Sequence, residues 1–237
     1  MILAIIQARM GSTRLPGKVL KPILDKPIID YQVERVKQSK ALDQVIIATS
    51  NNVKDDAIIY WCEANSIPYY RGDEADVLGR YYEAAKQFSA STIVRLTGDC
   101  PIIDSNIIDR VIIDYLKEGT SYCSNTIKRS FPRGMDTEVF SMDALERANF
   151  EAESPLDREH VTPYIRNHFS TFNVLNNTDY SNYRWTVDTK EDFQLIKKII
   201  TELYPSNPLF TMEDAVKLLA NNPDWMLINK DVKQKDG

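Results

Sequence analysis

Strand-like apolar runs alternate with helical-period segments through the first half of this chain, and that order leaves few folds open. "ILAIIQ" (2–7) is a continuous run of branched apolar residues, the signature of a buried strand. "IIDYQVERVKQ" (28–38) has helical spacing at Ile28, Tyr31, Val33 and Val36. The pattern repeats with a strand at "QVIIATS" (44–50), a helix at 53–65, a short strand at "IPYYRG" and a helix at 76–88 with Gly79 as its weak point. A strand at "STIVRLTG" (91–98) and a helix over 106–119, stopped by Gly119, complete it. Such a βαβα order with short connections implies an α/β fold, with a mostly parallel sheet covered by helices on both faces.

The middle departs from the pattern. "SYCSNTI" (121–127) and "DTEVFS" (136–141) read as strands around the loop "KRSFPRGM". Helices follow at 142–149, behind Ser141, and at 155–169, behind Ser154 and Pro155, the second ended or kinked by Pro163. "TFNVLN" and "YRWTVD" (183–188) read as further strands. Helices at 189–204 and from Thr211 each open on a Thr-x-x-Asp box. The polar last ten residues read as a mobile tail. No linker separates independent domains, so 1–237 reads as one domain with an inserted subregion at about 121–170.

Several function classes are disfavoured by composition. A net charge of −5 argues against a general nucleic-acid binder, which presents a basic face. No apolar run approaches the roughly 20 residues of a membrane span, and the opening run is too short for a secretory signal. Three widely spaced cysteines, Cys62, Cys100 and Cys123, and two histidines match no zinc spacing. A reducing, cytoplasmic location is the economical expectation.

Against that acidic background, "MGSTRLPGKVL" (10–20) stands out, because Arg9, Arg14, Lys18 and Lys21 crowd into one short stretch. It leaves the carboxyl end of the first strand, where open α/β sheets bind ligands. It is not a Walker A loop: five residues rather than four lie between Gly11 and Gly17, Val19 replaces the hydroxyl after Lys18, and Pro22 forbids a helix there. The reading is instead an extended phosphate loop. Its glycines admit backbone N–H groups to an anion, Arg14 grips phosphate oxygens in a fork, and Lys18 acts as a point charge. A solvated basic loop is the plain alternative.

"IIQARMGSTRLPGKVL" resembles the signature of sugar cytidylyltransferases, and most closely the branch of spore coat polysaccharide biosynthesis protein F, related to CMP-KDO and CMP-sialate synthetases. The likeness continues through "DVLGRYYEAA", "RLTGDCPIID", "PRGMDTEVF", "REHVTPYI" and "RWTVDTKEDF", from residue 2 to about 195. It implies a Rossmann-like three-layer α/β/α fold of the nucleotide-diphospho-sugar transferase type, CTP as donor, a sugar as acceptor, Mg2+, and often a homodimer. The implied nucleotide contacts are Ala8, Arg9, Gly11, Ser12, Arg14, Lys18, Asp76 and Asp99, with Arg14 and Lys18 the catalytic cations.

Asp99 in "TGDCP" and Asp188 in "RWTVDT" each follow a predicted strand and so reach the sheet edge beside the basic loop. Magnesium takes one or two carboxylates plus phosphate oxygens, and the resemblance assigns it to these two. Turn and helix-cap roles are the plain readings. Candidates for the sugar are Arg133, Asp136, Glu138, Glu159 and His160, which read equally well as a polar hairpin and a solvated helix face; Arg158 belongs to the same set. Arg71 and Arg80 join Asp76 as residues near the nucleotide that are as plausibly surface charges. Two rivals stand beside this reading. A GT-A glycosyltransferase would use Asp-x-Asp where this chain has Gly98-Asp99-Cys100; the other rival is a non-catalytic nucleotide-binding protein.

Overall fold

The computed structural model describes residues 1–234. In chain order the elements are β1 (Ile2–Gln7), β2 (Pro22–Ile23), β3 (Lys26–Pro27), α1 (Ile28–Val36), β4 (Gln44–Ser50), α2 (Asp56–Ala64), β5 (Tyr69–Gly72), α3 (Val77–Gln87), β6 (Thr92–Thr97) and α4 (Ser105–Glu118). The second half adds β7 (Tyr122–Ser124), β8 (Glu138–Ser141), α5 (Met142–Glu151), α6 (Pro155–His160), α7 (Pro163–His168), β9 (Thr171–Asn173), α8 (Lys190–Leu203) and α9 (Met212–Asn221). A seven-stranded sheet runs in the order β5-β4-β1-β6-β8-β7-β9, and β2 pairs with β3 as a separate hairpin. Within the seven-stranded sheet only β8 runs against the rest: it is antiparallel to both β6 and β7, whereas the sheet's other pairs are parallel.

Successive side chains of β1 serve opposite layers, as the strand's period of two requires. Ala4 and Ile6 face a core shared with α1, α2, α4, α8 and α9, while Leu3 and Ile5 face one shared with α3, α5 and α7. Being covered on both faces is why these strands are apolar throughout. The strand order reverses direction at β1, with β4 on one side and β6 on the other. Such a switch point leaves a crevice at the strands' carboxyl ends, and the loops after β1 and β6 line it.

The structure corrects several sequence expectations. "YRWTVD" is no strand: it makes one bridge, Arg184 to Arg133. Its alternation is real, since Trp185 and Val187 are fully buried, but among the described residues no neighbouring strand runs beside it to form a ladder. The expected strands at 121–127, 136–141 and 171–176 shrink to three or four residues each. The helix over 155–169 divides into α6 and α7 at Val161, whose φ of 70° is left-handed. The segment after Lys18 is not wholly extended. A single 3-10 turn, Lys18–Leu20, follows Gly17, whose φ of 67° supplies a turn that a side chain would disfavour. Pro22 still prevents a full helix.

The tail also differs from expectation through residue 234. Asn229 is buried, and its side-chain amide donates to the Arg184 carbonyl and to Asp192, both at 2.9 Å. The Lys233 carbonyl accepts from Arg14 at 3.2 Å, and Gln234 accepts from Arg184 at 2.5 Å. Lys230, Asp231, Lys233 and Gln234 remain exposed, but Asn229, the Lys233 carbonyl and Gln234 tie the segment to the crevice. The last three residues of the expected tail lie outside the described residues.

Candidate active site

The loop after β1 closes on itself. The Gly17 and Ser12 amides both donate to the Met10 carbonyl at 3.0 Å, and Leu15 and Val19 plug its underside. Asp55 pins the entry by accepting from the Met10 amide at 2.7 Å. Thus "MGSTRLPGK" holds a fixed curve with apolar residues inward and Arg14 and Lys18 directed to the crevice. The loop after β6 packs against it: the Gly98 amide donates to the Gln7 carbonyl at 2.7 Å. A Cβ at Gly98 would lie 2.9 Å from that carbonyl oxygen, so only glycine lets the two loops approach this closely.

Asp188 arrives from a distant part of the chain. The Val187 amide donates to the Asp99 carbonyl at 2.8 Å, and the Trp185 amide to the Arg133 carbonyl at 2.7 Å, so residues 185–188 are stitched across the crevice. Asp192, fully buried in the first turn of α8, fixes the end of the stitch. It accepts from the Asp188 amide at 3.0 Å, the Thr189 amide at 3.1 Å and Arg184 Nε at 2.9 Å, and with Thr189 it forms a capping box.

Between these loops lies a cavity of about 220 Å³ lined by Ala8, Arg9, Ser12, Arg14, Lys18 and Asp99 among others. Lys18 Nζ sits 2.8 Å from Asp99 Oδ2 and 2.8 Å from Asp188 Oδ1. Asp188 also meets Arg14 at 3.1 Å and Arg184 at 2.7 Å. Asp99 accepts from the Thr97 hydroxyl at 2.7 Å. Burial disfavours the Lys18 ammonium, but the two carboxylates outweigh it and raise its pKa. Burial likewise opposes the Asp99 carboxylate, yet Lys18 and the hydroxyl and thiol donors hold its pKa far below the usual range. Both groups are therefore charged near neutral pH.

A second cavity, about 430 Å³, adjoins the first, with Thr97 lining both. Arg133, Asp136, Glu138 and His160, candidates for the sugar in the sequence, line it. Asp136 accepts a two-pronged pair from Arg129 at 2.6 and 2.9 Å. Glu138 is buried against Arg95 and accepts from Tyr122 at 2.5 Å and Thr162 at 2.7 Å. Burial pushes its pKa up, but Arg95 and these donors bring it below the ordinary value.

Three expected contacts fall outside the cavities. Glu159 is exposed and lines neither, because α6 turns it to solvent. Asp76 caps α3 by accepting from the Gly79 amide at 2.9 Å and pairs with Arg158, which spends its lone pairs on structure. Gly11 stands beside Glu74, outside the lining. Arg71 is committed to Asp56 at 2.8 Å and to the Ser50 carbonyl at 3.1 Å, and Arg80 to the Asp73 carbonyl at 2.7 Å. Conversely, Arg95, Arg129 and Arg166 line the larger cavity and were not singled out. Arg95 carried a readable signal, a charge in mid-strand in "TIVRLT", which a buried strand tolerates only with a partner.

Comparison with known proteins agrees with this geometry. The family model described as cytidylyltransferase matches residues 3–231. The chain belongs to the cytidylyltransferase family. A cytidylyltransferase structure from Leptospira borgpetersenii superposes with a TM-score of 0.91 at 35% identity, covering 99% of each chain. Spore coat polysaccharide biosynthesis protein SpsF of Bacillus subtilis is 37% identical over 94% of this chain and 95% of its own. The 3-deoxy-manno-octulosonate cytidylyltransferase of Anaeromyxobacter dehalogenans is 31% identical over 69% of this chain and 72% of its own. As a cytidylyltransferase, the chain is a nucleotidyltransferase enzyme.

Proposed function

We propose that the chain transfers CMP from CTP to a hydroxyl of an acidic or amino sugar, releasing pyrophosphate and yielding an activated CMP-sugar for surface polysaccharide or glycan synthesis. One observation carries the proposal: Arg14 and Lys18 from the loop after β1 meet Asp99 and Asp188 at a single sheet edge, beside a second polar cavity. In this reading the smaller cavity holds the triphosphate and the larger one the sugar.

The donor set suits magnesium. Two carboxylates converge, and no group of three or more His, Cys, Asp or Glu gathers among the described residues. Such a pair leaves most of the coordination shell to phosphate oxygens and water, as Mg2+ prefers. Asp99 and Asp188 would hold the ion, which supplies charge neutralisation and polarisation of the α-phosphate. The sugar hydroxyl attacks the α-phosphorus in line, the bond from that phosphorus to the α–β bridging oxygen breaks, pyrophosphate leaves with that oxygen, and the hydroxyl proton passes to solvent. Arg14, Lys18 and the loop amides stabilise charge on the departing pyrophosphate. Walls lined by Arg133, Asp136 and His160 orient the sugar, so rate comes from positioning and electrostatics.

The proposed assembly is a homodimer using the 121–170 subregion, where Phe150 and Leu156 present large apolar surface to solvent. Light scattering after size exclusion should return twice the monomer mass; a monomer at working concentration contradicts this part. For the activity, Asp99→Asn and Asp188→Asn should each abolish metal-dependent pyrophosphate release with CTP and sugar. Undiminished release by both variants would refute the assignment.

A further inference from the structure

Lys18 occupies the same two carboxylate oxygens that a divalent ion would need. Its ammonium is 2.8 Å from Asp99 Oδ2 and 2.8 Å from Asp188 Oδ1. Magnesium lies about 2.1 Å from its oxygen ligands, so an ion held by both oxygens and an ammonium touching both exclude one another by volume as well as by charge. Asp188 keeps Arg14 and Arg184 if Lys18 departs. Asp99 has no second cation among the described residues' ion pairs: besides Lys18 its carboxylate accepts from the Thr97 hydroxyl and the Cys100 thiol. With only 18% of its side chain exposed, it requires a replacement cation. Lys18 has somewhere to go, because it lines the cavity that also holds Ser12, Thr13 and Arg14.

Resting on the nucleotide site proposed above, we infer that Lys18 is an internal counterion exchanged for the metal. Without nucleotide it pairs the two carboxylates and excludes divalent ions. When a polyphosphate enters, its oxygens draw the ammonium away and the vacated carboxylates accept the ion. Metal and nucleotide therefore bind cooperatively, and linkage requires each to favour the other by the same factor. Lys18 acts here as a positioning residue, holding Asp99 and Asp188 converged until the exchange.

The test is Mn2+ binding to the full chain without nucleotide, followed by the loss of the free-ion paramagnetic resonance signal. Wild type should bind Mn2+ weakly, and Lys18→Met should bind it about tenfold more tightly or better, within the usual range of such couplings. Adding Asp99→Asn to Lys18→Met should cancel the gain. Lys21→Met removes the same charge three residues away and should leave Mn2+ affinity unaltered. Thermal melting gives a second readout: Lys18→Met should lose stability and regain it with Mn2+. If that variant fails to fold without metal, Lys18→Gln retains a hydrogen-bond donor for the carboxylates and takes its place. Unchanged or weaker Mn2+ binding by the Lys18 variants, or an equal gain from Lys21→Met, overturns the exchange. CTP titration of wild type with Mn2+ present isolates the underlying reading: absence of CTP binding defeats the nucleotide site itself, whereas CTP binding with no Lys18 effect defeats only the exchange.

Discussion

At the scale of single residues, the site is built from charges that would be costly alone. Lys18 and Asp99 are each mostly buried and each is kept ionised by the other, so removing one leaves the other uncompensated. Lys18→Ala and Arg14→Ala should each lower turnover by about a hundredfold or more with metal present, Arg14→Ala with circular dichroism unchanged; wild-type rates from both would detach the loop from catalysis. Arg95 and Glu138 form a second such pair beneath the larger cavity. Glu138→Gln should cost about 3 kcal/mol of unfolding free energy by leaving Arg95 a buried, unpaired charge, measurable as a shifted urea midpoint. Legibility at this scale followed chemistry. Lys18 and Asp99 were readable because they sit in the loops after β1 and β6, whereas Asp188 follows no strand and was reached through the resemblance; Asp76 and Glu159 lie outside both cavities, because a cap, a solvated acid and a ligand contact look alike in sequence.

Among the elements, α8 does the most for the site, since its first turn fixes Asp188. Thr189 and Asp192 share the cap but not the consequences. Thr189→Ala removes one capping bond and should cost about 1 kcal/mol. Asp192→Ala also strips Arg184 and two backbone amides of their acceptor and should cost about 3 kcal/mol or more, with a larger loss of activity. Equal melting temperatures for the two variants would contradict the role given to Asp192. The βα repeat and the α8 box were legible because each rests on local rules of period and capping. The short strands β7, β8 and β9 were not, because their ends are set by which neighbour lies alongside. The same holds for the segment from Asn229 to Gln234, where Asn229, the Lys233 carbonyl and Gln234 meet Asp192, Arg14 and Arg184 in a way that no local pattern reveals.

For the whole molecule, the sheet brings together four parts of the chain: the loop after β1, the loop after β6, the stitched segment before α8 and the residues beyond α9. Stability should register that convergence through pH. Asp99 and Glu138 both have folded-state pKa values below their unfolded ones, near 3.9 and 4.3 for the free side chains. A depressed acid contributes stability that is fully present above the unfolded pKa and lost as pH falls through the folded one. Unfolding free energy should therefore be flat from these two groups above about pH 5 and fall below pH 4. Asp99→Asn should flatten that fall, and an unchanged acid slope would contradict the ionised Lys18–Asp99 pair.

The central claim is that this sheet edge activates CTP for attack by a sugar. Pyrophosphate release with Mg2+, measured across the four common nucleoside triphosphates and a panel of acidic and amino sugars, tests it most directly. The account predicts release that requires both CTP and a particular sugar, one CMP-sugar formed per pyrophosphate, and none from Asp99→Asn or Asp188→Asn. Nucleoside diphosphate released from a nucleotide-sugar donor, or CTP bound tightly with no pyrophosphate from any sugar, would contradict it.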